Sequence, residues 1–163
     1  MIPVVSIVGK SNSGKTTLLE KIIGELTRRG HRVVTIKHDA HSFDIDHEGK
    51  DTWRHFQAGA HATLISSPAK FAMVRRVDAE WTLDQLIAQI GDDADIVLTE
   101  GYKTAKKPKI EVVRQARSTE PVCDISEIIA LATDVDLDLG VPRYDINDFE
   151  GLCDLLEATY LSD

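Results

Sequence analysis

A chain of 163 residues, 42% hydrophobic and 28% charged, has the composition of a soluble globular protein with room for one real core. Its net charge of −8 argues against general affinity for nucleic acid or anionic membrane, and no apolar run approaches a membrane span. The only two cysteines, Cys123 and Cys153, form no CxxC pair, so neither a disulfide framework nor a structural zinc is implied.

The start of the chain, "MIPVVSIVG", lacks a basic leader region with a cleavage site, so the cytoplasm is the expected location. Ile2 to Val8 is apolar and rich in β-branched residues, which predicts a buried strand. From Thr16 onward Leu18, Leu19, Ile22, Ile23 and Leu26 recur at helical spacing. Arg28, Arg29 and Gly30 then supply the basic last turn and the glycine that end a helix. Val33 to Ile36 is a second strand, completing a βαβ unit with parallel strands and a right-handed crossover.

His38 to Lys50 is polar and aperiodic, a loop. Asp51 to Ala58 predicts a short helix closed by Gly59. Ala62 to Ser66 and Phe71 to Val77 flank "SPAK" and predict a hairpin insertion over roughly 61–78. Leu83 to Ile90 repeats the helical period after Thr82. Asp95 to Thr99, Ile110 to Val113, Ile128 to Ala132 and Val141 to Ile146 read as strands, and Phe149 to Leu161 as a closing helix. With no repeat and no linker, residues 1–163 are expected to form a single α/β phosphate-loop domain of three layers. Its sheet is mostly parallel, with an antiparallel hairpin extension.

"GKSNSGKT", Gly9 to Thr16, fits G-x-x-x-x-G-K-[ST] without deviation, between a strand and a helix as that pattern requires. Its glycines let backbone N–H groups turn inward toward phosphate oxygens, beside the positive end of the helix dipole. Gly9, Ser11, Asn12, Ser13, Gly14, Lys15, Thr16 and Thr17 are therefore the expected nucleotide-binding residues. Lys15 would bridge the β- and γ-phosphates, and the Thr16 hydroxyl would ligate Mg²⁺.

A carboxylate at the end of a neighbouring strand usually holds that Mg²⁺ or its water. Asp39, after the second strand, and Glu100, after "DIVLT", qualify; Asp95 opens its strand and falls at the wrong edge. The basic run Lys103, Lys106, Lys107 and Lys109, with Lys37 and His38, could receive an anionic second substrate at that edge or be an ordinary solvated charge run. His38, His41 and His47 form the densest histidine group, weak evidence for a transition metal without cysteine. Asp134 ends "ALATD"; its carboxylate could accept both N1–H and N2–H of guanine, or be an ordinary loop acid.

Taken together, "GKSNSGKTTL", "IKHDAH", "GKDTWR", "AGA", "LTEGYK" and "ALATD" occur in an order that resembles the molybdopterin-guanine dinucleotide biosynthesis protein B family (MobB) across nearly the whole chain. The resemblance implies a GTP-binding homodimer with Mg²⁺ and weak GTPase activity. It would assist the nucleotidyltransferase that joins GMP to molybdopterin, with molybdopterin itself a further possible ligand. Carried onto this sequence, Asp39 and Glu100 look like the metal- or water-positioning acids, and Lys37, His38, Asp51 and Arg54 like a second-ligand or switch region that Lys103 extends. The hairpin around Pro68 is where the resemblance implies the dimer.

Two other classes share such a loop. An ATP-dependent small-metabolite kinase would want an arginine-bearing lid, for which only Arg75 and Arg76 offer themselves. A GTP-dependent metallochaperone would want convergent Cys and His ligands. Lys10, one residue into the loop, stands where dimeric nucleotidases of a related loop type carry a lysine that reaches the partner's nucleotide. That makes it either a catalytic residue in trans or a solvent-exposed cation.

Overall fold

The computed structural model describes residues 2–39 and 42–162. These residues form two compact units, one of residues up to 38 together with those from 86 onward, the other of residues 39–85.

The larger unit is built on a six-stranded sheet. Its strands are β1 (Val4–Gly9), β2 (Val33–Lys37), β5 (Ile96–Glu100), β6 (Lys109–Val113), β7 (Ile128–Thr133) and β8 (Arg143–Asp145). They lie in the order β2-β5-β1-β6-β7-β8, and each neighbouring pair is parallel. The central strands are buried over almost their whole length because both faces are covered. Successive side chains in a strand face opposite ways, so the sheet has two chemically separate sides. Val5, Ile7, Ile96, Leu98, Ile110, Val112, Ala130 and Ala132 share one side. There they pack with Leu18, Leu19, Ile22 and Leu26 of α1 (Lys15–Arg28) and Leu152, Cys153 and Leu156 of α4 (Phe149–Leu156). The last turn of the C-terminal helix, Glu157–Leu161, is π-helical.

The smaller unit holds α2 (Asp51–Gln57) and the antiparallel pair β3 (Ala62–Ser66) and β4 (Phe71–Arg75), a two-stranded sheet of its own. Arg76 ties the hairpin to α2: its guanidinium lies 4.0 Å from the centre of the Phe56 ring and donates to the carbonyls of Phe56 and Ala60. Leu64, Met73 and Phe71 lie on one face of the pair, opposite or diagonal to one another, and all three are exposed, Phe71 by 74%. The remaining helix, α3 (Leu83–Ala88), starts with Thr82 and Gln85 capping each other.

Candidate functional site

The register of the sheet determines what meets at its carboxyl edge. Lys37 lies beside Glu100 across β2 and β5, and Gly9 lies beside Val112 across β1 and β6. The loop from Lys10 to Gly14 leaves β1 at this edge and returns into α1. Only glycine fits at its first turn, since a Cβ on Gly9 (φ +141°) would stand 2.5 Å from the Val112 carbonyl oxygen. Asn12 and Gly14 also have positive φ, which wraps the backbone into a cup.

That cup is prepared for an anion. α1 begins with no side-chain cap and no acidic residue in its first turn, leaving the positive end of the helix unneutralised. Ser13 is buried, and its Oγ is, among the described residues, a buried side-chain oxygen without a hydrogen-bond partner. Lys15 arches over the loop, its Nζ donating to the Lys10 carbonyl at 2.6 Å. Burial lowers the Lys15 ammonium's pKa; Glu100 opposes that shift, while the charges of Lys103 and Lys37 reinforce it. A polyphosphate among these groups would relieve that crowding.

On the β5 side of the loop the Thr16 hydroxyl donates to Glu100 Oε1 at 2.9 Å. A hydroxyl and a carboxylate held together are the hard oxygen ligands that Mg²⁺ prefers, so the residues present fit that ion. The cleft encloses about 490 Å³ and is lined by Ser11, Asn12, Gly14, Lys15, Thr16, Thr17, Lys37, Glu100 and Arg114. Three of these side chains are cationic and one is acidic, in a protein that carries a net charge of −8. The contrast marks the cleft as a place for negative charge.

The expected residues thus fall into groups. Ser11, Asn12, Gly14, Lys15, Thr16 and Thr17 of the loop meet Lys37 and Glu100 at the cleft, while Gly9 and Ser13 are buried behind it. Lys103 is near enough to Lys15 to act on its charge. His38 continues from β2, donates its backbone N–H to the Glu100 carbonyl and packs its ring against Tyr102 at 5.0 Å. Lys10 is exposed. Asp134 follows β7, where one carboxylate oxygen accepts the Gln115 amide at 2.7 Å and the other lies 3.9 Å from Arg114 Nε. Asp39, Asp51 and Arg54 belong to the smaller unit, Asp51 opening α2 and Arg54 in its last turn. His41 lies outside the described residues.

Lys109 corrects the sequence reading. It is not part of an exposed basic loop but opens β6 fully buried, with its ammonium donating to Glu127 and to the carbonyls of Ala105 and Lys107. Arg75 and Arg76 are engaged within the smaller unit, Arg75 over the Trp81 ring and Arg76 on α2, which removes the support they gave to a kinase lid. Arg114 is the cleft residue that the sequence reading missed. It stands one residue past β6, at the same edge as Glu100.

A parallel sheet with a strand–glycine loop–helix at its carboxyl edge defines the class: a phosphate-loop α/β protein. The sequence pattern described as Molybdopterin guanine dinucleotide synthesis protein B matches residues 4–134. The chain is 39% identical over 158 residues to the molybdopterin-guanine dinucleotide biosynthesis adapter protein of Haemophilus influenzae, covering 96% of this chain and 88% of the relative. It is 40% identical over 162 residues to the protein of the same name from Escherichia coli, covering 96% and 92%. The crystal structure of Bacillus subtilis MobB superposes with a TM-score of 0.79 at 27% identity, covering 99% of this chain and all of that one. The chain belongs to the molybdopterin-guanine dinucleotide synthesis protein B family.

Proposed function

We propose that this protein binds GTP with Mg²⁺ and acts as an adapter for the nucleotidyltransferase that joins GMP to molybdopterin. The observation that carries the reading is the unneutralised start of α1 beside the Thr16–Glu100 pair, in a chain whose relatives are named as adapters of that biosynthesis. Backbone amides from Gly9 to Thr17 and the Lys15 ammonium hold the phosphates. Thr16 and Glu100 would hold Mg²⁺, which supplies charge neutralisation at the β- and γ-phosphates. Asp134 reads guanine through the carboxylate oxygen facing away from Gln115. Lys37, His38 and Lys103 supply the positive edge for a second anionic ligand, molybdopterin being the candidate.

Hydrolysis is slow in the isolated protein, because none of the described residues that line the cleft is a glutamine able to orient water. Lys10 is assigned to a partner's nucleotide in a homodimer. Leu64, Met73 and Phe71, an apolar face left exposed, support a dimer built on the hairpin.

The test is nucleotide affinity with Mg²⁺, followed by a pull-down against the nucleotidyltransferase and an assay for stimulated dinucleotide formation. Expected are a clear preference for GTP over ATP, stimulation, and loss of both on Lys15→Ala. A preference for ATP would turn the reading toward a kinase, and absence of interaction and stimulation at micromolar protein would remove the adapter role.

A further inference from the structure

We infer that Arg114 is the cation that holds the nucleoside end of the bound nucleotide, at the α-phosphate, on the side of the loop away from the metal. The inference rests on the nucleotide reading above and adds to it an assignment of direction. The two ends of the cleft are chemically distinct. Thr16 and Glu100 bring hard oxygens together on the β5 side of β1, so the metal and the terminal phosphates belong there. A nucleotide anchored at that end must run toward β6 and β7, on the other side of β1 in the sheet order. Arg114 is the cleft-lining cation on that side, and its Nη1 lies 3.9 Å from where a Cβ on Gly14, the N-cap of α1, would stand.

The side chain is positioned in advance. The Arg114 carbonyl accepts both the Arg117 and Ser118 amides, closing a tight turn after β6. Asp134 braces the same turn through the Gln115 amide and stands near Arg114 Nε at 3.9 Å, a loose ion pair that leaves the guanidinium tip for a ligand. Val113 and Thr133 are partners in the sheet, so Arg114 and Asp134 are the next pair along it. The residue assigned to guanine, Asp134, thus stands directly beside the residue assigned to phosphate. A guanidinium suits this place because its planar fork matches two phosphate oxygens at once.

Calorimetric titration of wild type, Arg114→Ala and Arg114→Lys with Mg²⁺–GTP, Mg²⁺–GDP and Mg²⁺–pyrophosphate tests it. Arg114→Ala is expected to weaken GTP and GDP by the same factor, about 10- to 100-fold, as for losing charge-assisted hydrogen bonding to one phosphate. Pyrophosphate, which has no α-phosphate, should bind as before. Arg114→Lys should recover part of the loss, because it keeps the charge without the fork. Unchanged affinity for GTP and GDP in Arg114→Ala would overturn the assignment, as would a loss confined to GTP, which would put Arg114 at the γ-phosphate. If wild type binds pyrophosphate but no nucleoside triphosphate, the nucleotide reading itself fails; if it binds GTP and Arg114→Ala binds equally well, only this inference does.

Discussion

The two sides of the central sheet are closed by different means. The side under α1 and α4 is a continuous apolar core, from Val5 and Ile7 across to Ala130 and Ala132. The opposite side buries Ser6, Thr99, Lys109, Glu111 and Thr133 among Val4, Val8, Val97, Val113 and Leu131. Ser6 and Thr99 hydrogen-bond to each other there, while Lys109 and Glu111 bond to backbone outside the sheet. The reason is in the connections. β5 to β6 and β6 to β7 are joined by irregular chain rather than by α-helices, and irregular backbone near a core needs partners for its N–H and C=O groups. Lys109 supplies a donor to the carbonyls of Ala105 and Lys107, and Glu111 supplies acceptors to the amides of Val122 and Cys123. One side therefore works by area buried, the other by polar groups satisfied, and substitutions separate the two.

The largest effect is expected from Ile22→Ala, which empties a fully buried position beneath α1. Removing such a side chain costs about 2–5 kcal/mol through lost transfer energy and the cavity left behind. Urea denaturation should show that loss, while the folded fraction keeps its GTP affinity, because Ile22 touches the core and not the cleft. Altered affinity per folded molecule would show that the helix side is not merely a source of stability.

Next comes Lys109→Ala, expected to cost about 2–3 kcal/mol. Breaking a buried pair costs more than this when both partners are enclosed, but Glu127 is 33% exposed and water can screen it. Lys109→Met sharpens the comparison, because it restores volume and no donor. Its loss should stay close to that of the alanine variant, with lower GTP affinity as the chain carrying Lys103 loses its anchor. Wild-type stability in Lys109→Met would mean that this side, too, works by area. Glu111→Gln is milder, about 1–2 kcal/mol, since one amide oxygen remains to accept and the NH₂ faces a backbone donor. Amide hydrogen exchange at Val122 and Cys123 should speed up in that variant and stay unchanged in Ile22→Ala relative to its global stability.

How much of this could be read from the sequence follows the same division. The central strands and α1 were legible because apolar runs between breakers signal burial whatever does the covering, and the exposed hairpin because its strands flank the turn "SPAK". The loop from Gly9 to Thr16 was legible because its glycine-rich strand–loop–helix pattern has fixed spacing. Asp95 opens its strand, away from the carboxyl edge, and pairs with the backbone N–H and guanidinium of Arg32 at the amino end of β5. Lys109 and Glu111 were not legible. Their partners lie outside the strand, and in sequence a buried lysine in "KKPKIE" looks like any solvated charge run. Arg114 escaped for a related reason: its meaning depends on β6 lying next to β1, a fact of register that no local pattern carries.

The smallest expected effect concerns the seam between the end of α1 and the C-terminal helix, on the rim of the apolar side. Arg29 donates there to Glu25, Asp154 and Glu157, and His31 lies 2.7 Å from Glu157. Hydrogen bonds from Arg28 and Arg29 hold the Glu25 carboxyl down to about 2, and His31 and Arg29 lower that of Glu157. Both carboxylates are easier to ionise in the folded chain than in the unfolded one. Their contribution is therefore complete above the ordinary carboxylate range and is lost as pH falls from there through the folded values, with Glu25 holding out to about pH 2. Denaturation midpoints measured from pH 6 down to pH 2 should fall less steeply in Glu25→Gln than in wild type, and the two curves should converge at the acid end. If the slopes are identical, the network adds no pH-dependent stability, and the apolar side stands by burial alone up to its charged rim.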